Sequence, residues 1–414
     1  MSLDSKWIRS HFPSVQNSET IFFDNPGGTQ VTQSVIDAFR EYFLTANANH
    51  GGVFPTSERN DELLHQARVA FADFFNAPTA DQIVFGPNMT TLTFAISRAL
   101  GRRLHPDDEI IVTQLDHDAN VAPWAALQER GVIIKRVDIH PEDCTLNMAD
   151  FEKHLSNKTR IVAVGLASNA VGSVNPVREI ADLAHMAGAV VYADAVAFAP
   201  HFPIDVQALN VDFLACSAYK FYGPHLGILY GKQDLLEQLE AYKVRPAADF
   251  PPDKFETGTP SFESIHAAAA AVDYLASVGE TFGAAYANEY AQFNGRRLHL
   301  KTAMRATQAY EKNLFIRLFN GLRDLELDYY GITDLNRFDY RAPTAAFNLK
   351  GKHPRDVAAA LGKQNINVWD GNYYALSLME RLDLERTGGA VRVGLAQYNT
   401  ADEIDQLLDA LRKL

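Results

Sequence analysis

Short apolar segments alternate with helical patterns along the chain up to about residue 280. Segments nearly continuous in apolar or β-branched residues, as expected for strands covered on both faces, lie at 110–113, 132–137, 160–165, 189–193, 212–216 and 227–230. The clearest helical pattern between them has Asn175 as a cap, Pro176 in its first turn and Gly188 at its end. This alternation predicts an α/β domain built on a mostly parallel sheet.

The pattern changes after about residue 280. A long helical pattern covers 282–322, apolar segments lie at 344–349, 366–369 and 390–395, and a helical pattern lies near 353–364. Thr400 and Glu403 form a predicted capping box for the last helix. We therefore expect a smaller α+β C-terminal domain. The predicted division is an N-terminal arm at 1–20, a large domain at 21–285 and a small domain at 286–414, with no linker between the last two.

Composition narrows the function classes. Hydrophobic residues make up 47% of the 414 positions, enough for a large core. The 38 basic and 51 acidic residues give a net charge of −13, which argues against a general nucleic-acid binder. No apolar run is long enough for a membrane span or a signal peptide. Cys144 and Cys216 are too few for a disulfide framework or a zinc cage, so we expect no metal site and a reducing cytoplasm.

A lysine and an aspartate follow two of the predicted strands. Lys220 lies in "SAYKFYGP" after segment 212–216, and Asp194 lies in "VVYADAV". In open α/β sheets, ligands bind at the carboxyl ends of strands. A lysine amine can form a Schiff base, and an aspartate can keep a pyridine nitrogen protonated. The pair indicates pyridoxal phosphate, whereas the structural alternative is a surface-reaching lysine and a helix cap.

Further polar residues follow neighbouring strands. Thr90 begins a helix after "QIVF", and Ser217 precedes Lys220. Hydroxyls and amides at a helix start bind phosphate, although a plain N-cap is the alternative. His117 can stack on a flat ring, or it is a solvated loop residue. Asn169 is a site residue or a turn residue. Together, these strand ends favour one common site over separate structural roles.

An ordered set of motifs carries a family resemblance. It comprises "FDNPGGTQ", "LDHDANVAPW", "ASNAVGSVNP", "ADAVAFAPHFPIDVQAL", "SAYKFYGPHLGILY", "FETGTPS" and "VRVGLAQYNT". From about Phe22 onward, the chain resembles the class V aminotransferase family of pyridoxal-phosphate enzymes, within it the cysteine desulfurase and selenocysteine lyase branch. The resemblance implies the fold of the aspartate aminotransferase-like, PLP-dependent transferases.

The resemblance also implies roles at the reacting centre. Lys220 would hold the cofactor as a Schiff base and move protons, Asp194 would pair with the pyridine nitrogen, and His117 would stack on the ring. Asn169 would contact the ring hydroxyl and the substrate carboxylate. Arg392 would bind that carboxylate, a bidentate task that suits a guanidinium. We expect a small amino acid as the substrate.

The phosphate contacts are implied in the same way. Thr90 and Ser217 match phosphate ligands, and Tyr219, which stands where the family commonly has histidine, can still donate a hydrogen bond. Thr259 in "ETGTP" matches a threonine that reaches the phosphate from the neighbouring subunit. The resemblance therefore implies a homodimer with shared sites.

One motif departs from the branch. Desulfurases of this branch carry a cysteine nucleophile in a segment like R-T-G-H-H-C-A, whereas this chain has "VWDGNYYA". Trp369 replaces the arginine, Tyr373 the second histidine and Tyr374 the cysteine. Cys216 is expected in the core, and Cys144 is distant in sequence. Without a thiolate no enzyme persulfide can form, so we do not expect a sulfur-mobilising desulfurase.

Other departures affect the ring and the pocket. Ala197 stands where the family usually has a glutamine facing the ring hydroxyl. Phe54 and Tyr374 are expected to make the substrate pocket more aromatic, and Tyr374 is a candidate substrate contact.

Several reactions remain open at this point. The favoured one is a lyase acting on a small sulfur- or selenium-bearing amino acid. A transaminase is the first alternative. A racemase or epimerase is another, with Tyr373 or Tyr374 as a candidate opposite-face acid, although we expect these two side chains to form a plain aromatic wall. A cofactor-binding regulatory relative is the last, and the retained Lys220, Asp194 and Arg392 count against it.

Overall fold

The computed structural model describes residues 3–414. Its strands are β1 Ile21–Phe22, β2 Ile83–Gly86, β3 Glu109–Thr113, β4 Ile133–Val137, β5 Ile139–His140, β6 Thr145–Leu146, β7 Thr159–Gly165, β8 Val190–Asp194, β9 Phe213–Ser217, β10 Gly227–Gly231, β11 Leu327–Tyr330, β12 Thr344–Leu349, β13 Ile366–Asn367, β14 Trp369–Gly371 and β15 Ala390–Gly394. Its α-helices are α1 Ser5–Ser10, α2 Pro13–Gln16, α3 Gln33–Thr45, α4 Pro55–Phe75, α5 Met89–Gly101, α6 Ala122–Ala125, α7 Met148–His154, α8 Val177–Met186, α9 Val206–Leu209, α10 Gln233–Gln238, α11 Phe262–Phe282, α12 Gly295–Arg323, α13 Pro354–Gly362, α14 Leu376–Arg381 and α15 Ala401–Leu411.

The large sheet has the order β2-β10-β9-β8-β7-β3-β4. The strands from β9 to β4 run parallel, and β10 is antiparallel to both of its neighbours. The predicted mostly parallel α/β sheet is therefore confirmed, with each of the six predicted strands within one residue of its observed bounds. One detail differs: β4 is largely exposed or half-buried, because it forms an edge of the sheet rather than its interior.

The helix between β7 and β8 is not capped by the predicted residue, Asn175. The Asn175 side chain donates to the carbonyl of Gly165 at 2.8 Å and does not cap α8, which begins at Val177. The prediction of Asn175 as the N-cap is therefore wrong, because the end of β7 offers its side chain a buried acceptor. Gly188 has the predicted role: it follows the helix in the left-handed region, at φ 79°.

The C-terminal part contains a second, antiparallel sheet with the order β11-β12-β15-β14. The predicted apolar segment 366–369 is split, because β13 pairs with β1 while β14 pairs with β15. The capping box of Thr400 and Glu403 at the start of α15 is confirmed.

The long helix α12 joins two hydrophobic cores. Leu300 and Ala303, in its first half, pack in the core that contains the large sheet. Phe315 and Leu318, in its second half, pack in the core of the smaller sheet. The helical pattern predicted for 282–322 is interrupted, since α11 ends at Phe282 and α12 begins at Gly295. The domain boundary between 285 and 286 stays a prediction. No helix within 3–414 is long and apolar enough to cross a membrane.

Candidate active site

The carboxyl ends of the central strands surround a cavity. The sequence-predicted residues that line it are His117, Asn169, Asp194, Ser217, Tyr219, Lys220, Thr90 and Ala197. A second, outer cavity is also lined by Lys220 and His117. Its further lining residues include Arg392, Tyr373 and Tyr374. The residues of the large sheet meet here because the strand ends of one parallel sheet lie at one edge. Arg392, Tyr373 and Tyr374 come instead from β15 of the smaller sheet and from the loop after β14.

Lys220 ends a short 3-10 turn that follows β9. Its Nζ donates to the carbonyl of Pro26 and lies 4.9 Å from the centroid of the Tyr219 ring. Burial, and then the positive charge of Arg392, lower the pKa of Lys220 to about 7, while the charge of Asp194 opposes them. About half of the amine is therefore neutral at pH 7, as a nucleophile or a base requires.

Asp194 is the last residue of β8, and its Oδ1 accepts from the amide of Val196 at 2.8 Å. Burial raises the pKa of Asp194 to about 6, although the Val196 amide and Lys220 hold it down. The carboxyl group is therefore mostly ionised at pH 7. An ionised carboxylate at this depth is suited to a protonated nitrogen of a ligand.

A second carboxyl group in the cavity was missed by the sequence reasoning. Asp116 accepts from the amide of Gly165 at 2.6 Å, and its Oδ2 has no hydrogen-bond partner among the described residues. Burial, and then the charge of Asp194, raise the pKa of Asp116 to about 8. The available signal was its position directly before His117, just past the end of β3.

His117 is a neutral imidazole in the wall of the cavity. Its Nδ1 accepts from the amide of Ala119 at 3.0 Å. Burial, and then the positive charges of Lys220 and Arg392, lower the pKa of His117 to about 4. Its ring lies 5.4 Å from the Tyr374 ring at an angle of 17°, so the two rings are stacked. The His117 ring is therefore flat and uncharged, as the predicted stacking on a cofactor ring requires. That stacking stays a prediction.

The start of α5 lies at the same cavity. The cap of this helix is Asn88, whose side chain accepts from the amide of Thr91 at 2.9 Å, so Thr90 does not serve as the N-cap. The hydroxyl of Ser217 accepts from the amide of Met89 at 3.0 Å. The helix start and these hydroxyls form a place that favours an anion.

Arg392, in β15, is buried beside the outer cavity. Its Nη1 donates to the carbonyl of Asn169 at 2.8 Å, and its guanidinium carbon lies 4.1 Å from the centroid of the Tyr373 ring. Burial lowers the pKa of Arg392 to about 10, which leaves it a cation at pH 7. Arg392 Nε and Asn169 Oδ1 are both buried without a hydrogen-bond partner in residues 3–414.

Of the three other residues predicted for the site, one lines the Lys220 cavity and two do not. Tyr219 lies in the cavity, where its ring stacks on His225 at 5.0 Å. Thr259 lines a separate cavity together with Thr91 and His225. Phe54 is half exposed and lines neither of the two cavities near Lys220, so the aromatic contribution predicted for it is absent from the pocket within the described chain.

Both cysteines lie away from these cavities and are buried. Burial raises the pKa of the Cys144 thiol to about 12 and that of Cys216 well above its usual value. Neither thiol is present as a thiolate near neutral pH.

Comparison with known proteins bears on this arrangement. A family model described as Aminotransferase class-V matches residues 21–315 and 295–407. The chain belongs to this family. A probable cysteine desulfurase of Streptomyces coelicolor is 31% identical over 99% of this chain and 96% of its own. One from Halalkalibacterium halodurans is 32% identical over 98% of this chain and 97% of its own.

Solved structures agree with this family. A cysteine desulfurase from Thermococcus onnurineus, solved in its apo form, has a TM-score of 0.88 at 27% identity and covers 100% of this chain and 99% of its own. A cysteine desulfurase from Escherichia coli has a TM-score of 0.83 at 25% identity and covers 100% and 98%. The predicted family, fold and enzyme class are confirmed: this is a cysteine desulfurase-like class V enzyme, from a family that uses pyridoxal phosphate.

The side chains present fit that cofactor. A partly buried lysine amine shares the cavity with a buried, ionised carboxylate and a neutral imidazole. The start of α5 offers an anion site in the same cavity. The unpartnered Asn169 Oδ1 and Arg392 Nε offer one acceptor and one donor for a further ligand.

Proposed function

We propose that this class V enzyme is a pyridoxal-phosphate-dependent lyase that cleaves the carbon–sulfur or carbon–selenium bond of a small amino acid without an enzyme persulfide. Two observations together carry the proposal. Lys220, Asp194 and His117 line one cavity, and both cysteines are buried away from it. A persulfide requires an accessible thiolate, and the outer cavity presents Tyr373 and Tyr374 instead.

Each site residue has a role in this proposal. Asp194 would hold the pyridine nitrogen, His117 would cover the ring, and Ser217 and Thr90 would bind the phosphate. When bound, pyridoxal phosphate supplies an electron sink that stabilises negative charge at the α-carbon of an amino acid.

Lys220 and Arg392 would act on the substrate. Arg392 would hold its carboxylate through paired hydrogen bonds. The Nζ of Lys220 would accept the α-proton, a task for which a pKa near 7 is well matched at neutral pH. Sulfur or selenium would then leave the β-carbon with the electron pair of its bond and take up a proton as sulfide, selenide or a thiol.

Tyr373 is poorly placed to be the acid of a racemase. Its hydroxyl donates to the carbonyl of Ala390, and burial raises its pKa above the ordinary range. An opposite-face acid must give its proton to the α-carbon, and this proton is already engaged. The contact therefore disfavours an epimerase that uses Tyr373.

The proposed assembly is a homodimer. Thr259 lies outside the Lys220 cavity of its own chain, as expected of a residue that serves the neighbouring subunit. Sedimentation of the purified enzyme would test this: a monomer at micromolar concentration would contradict the dimer.

The test of function is product analysis with L-cysteine and L-selenocysteine after loading with pyridoxal phosphate. If the enzyme is a lyase, it should form sulfide or selenide and pyruvate in equal amounts. A Cys144→Ser, Cys216→Ala double variant should then retain the wild-type rate. Alanine as the product, with loss of turnover in the double variant, would indicate a persulfide route and contradict the proposal. A visible cofactor band that is bleached lastingly by amino acid and restored by a keto acid would indicate the transaminase.

Lys220→Ala is the matched control. It removes the only amine proposed to hold the cofactor covalently, so borohydride treatment and mass spectrometry should find no pyridoxyl group at this position. Turnover at the full rate in this variant would overturn the assignment of Lys220.

A further inference from the structure

The outer cavity contains a buried cation without an acidic partner. Arg392 is 4% exposed, and no carboxylate lies within salt-bridge distance of it among residues 3–414. The charge of Asp24 acts on Arg392 only from beyond that distance, so no direct ion pair offsets the cost of burying the guanidinium. Here the face of the Tyr373 ring lies 4.1 Å from the guanidinium carbon, which is a cation–π contact.

The hydrogen-bonding groups around Arg392 leave one donor and one acceptor unused. Nη1 is used by the carbonyl of Asn169, whereas Nε has no partner and the Asn169 Oδ1 has none. Buried donors of this kind are nearly always paired in proteins. A carboxylate oxygen would satisfy Nε with a charge-assisted hydrogen bond.

The loop that carries Tyr373 is strained and held at several points. Tyr373 and Tyr374 both lie in the left-handed region, at φ 55° and 59°, a costly conformation for residues with a β-carbon. The carbonyl of Tyr373 accepts from the Asn169 side chain at 2.8 Å, and its hydroxyl donates to Ala390. The carbonyl of Tyr374 accepts from the amide of Asp118 at 2.7 Å.

A further contact fixes the start of the same loop. The Asn372 side chain donates to the carboxylate of Glu385 at 3.1 Å, and its Oδ1 accepts from the amide of Tyr374 at 3.1 Å. These contacts offset the backbone strain. Their combined effect is to fix the Tyr373 ring against one face of the guanidinium.

We propose that Tyr373 is a positioning residue that holds Arg392 in the orientation in which it receives a substrate carboxylate. The proposal rests on the proposed function only in that the substrate is an amino acid. In this role the Tyr373 ring stabilises a cation that has no direct ion pair. The guanidinium then does not turn toward solvent before the substrate arrives. Loss of the ring should weaken carboxylate binding and leave later steps nearly unchanged.

The experiment compares Tyr373→Leu, which removes the ring, with Tyr373→Phe, which keeps the ring and removes only the bond to Ala390. The probes are L-alanine, which has no sulfur to lose, and ethylamine, its counterpart without the carboxylate. Binding is read from the visible band of enzyme loaded with pyridoxal phosphate. The Leu variant should bind L-alanine about 3- to 30-fold more weakly, the range expected for loss of a buried cation–π contact. Ethylamine should bind it as it binds wild type.

The variants also separate positioning from folding. The Phe variant should remain within about threefold of wild type for both probes, since the ring contact persists. If the Leu variant does not fold, Tyr373→Met is the second ring-free variant, with the same expectation. Equal weakening of both probes, or no weakening of either, would overturn the proposal.

The outcome is independent of the bond that the enzyme cleaves. If cysteine yields no sulfide but L-alanine binding depends on the ring at position 373, the lyase is refuted and the positioning role stands. For any amino acid that is turned over, the Leu variant should raise KM and change kcat little. A loss confined to kcat would contradict the role in carboxylate binding.

Discussion

The pKa of Lys220 offers a direct test of the electrostatics of the site. Burial, and then Arg392, lower this pKa to about 7, and Asp194 opposes them. At pH 7 about half of the amine is then neutral, compared with about one in 2,500 for an ordinary lysine. The site therefore holds about a thousandfold more free amine than a surface lysine would.

Two substitutions should move this pKa in opposite directions. Arg392→Met removes a positive charge, so the ammonium form of Lys220 is less disfavoured and its pKa rises. Asp194→Asn removes the negative charge that favours the ammonium form, so the pKa of Lys220 falls. Because burial is the largest cause, neither variant should return Lys220 to the value of a surface lysine.

The assay is competitive acetylation of the apo enzyme with limiting acetic anhydride from about pH 5 to about pH 11, a range that brackets both the shifted and the ordinary lysine pKa. Mass spectrometry of the peptide that contains Lys220 gives the midpoint. Lys301, a buried lysine whose pKa burial lowers to about 8, is an internal comparison. A wild-type midpoint near 10, or shifts of the same sign in the two variants, would refute this account of the site.

Three other predictions concern stability, each measured by urea unfolding. Burial raises the pKa of Asp116 to about 8, so the contribution of its neutral form to stability is full below about pH 4 and is lost as the pH rises toward 8. Relative to Asp116→Asn, the wild-type free energy of unfolding should fall by up to about 1.4 kcal/mol per pH unit in that window. A difference that does not change with pH would contradict the assignment. Glu311→Ala leaves Nδ1 of buried His201 without its partner at 2.8 Å and should cost about 1–3 kcal/mol; a neutral result would show that water replaces the carboxylate. Gly172→Ala places a β-carbon 2.7 Å from the carbonyl oxygen of Ala342 at φ 79° and should cost about 1–3 kcal/mol, whereas an unchanged midpoint would mean that the backbone relaxes there.

Local pattern predicted much of the large domain. The nearly continuous apolar segments that form β3, β7, β8 and β9 are buried on both faces, and this requirement is visible in the sequence itself. Parallel strands covered by helices bring their carboxyl ends to one edge, so residues that directly follow those strands could be predicted to meet. Lys220, Asp194 and His117 were found in this way.

Contacts between distant segments decided the rest. Asn175 stands at a position typical of a helix cap, yet its side chain donates to a carbonyl at the end of β7. The segment 366–369 is divided between strands of two sheets. Burial, and then the nearby charge of Asp194, raise the pKa of Asp116. The contact between Tyr373 and Arg392 depends on a loop that folds back on β15. The sequence by itself determined which residues could carry the chemistry, because burial and periodicity are local requirements. The tertiary structure alone decided their charges and partners, because solvation and hydrogen bonding depend on groups that meet only in the folded chain.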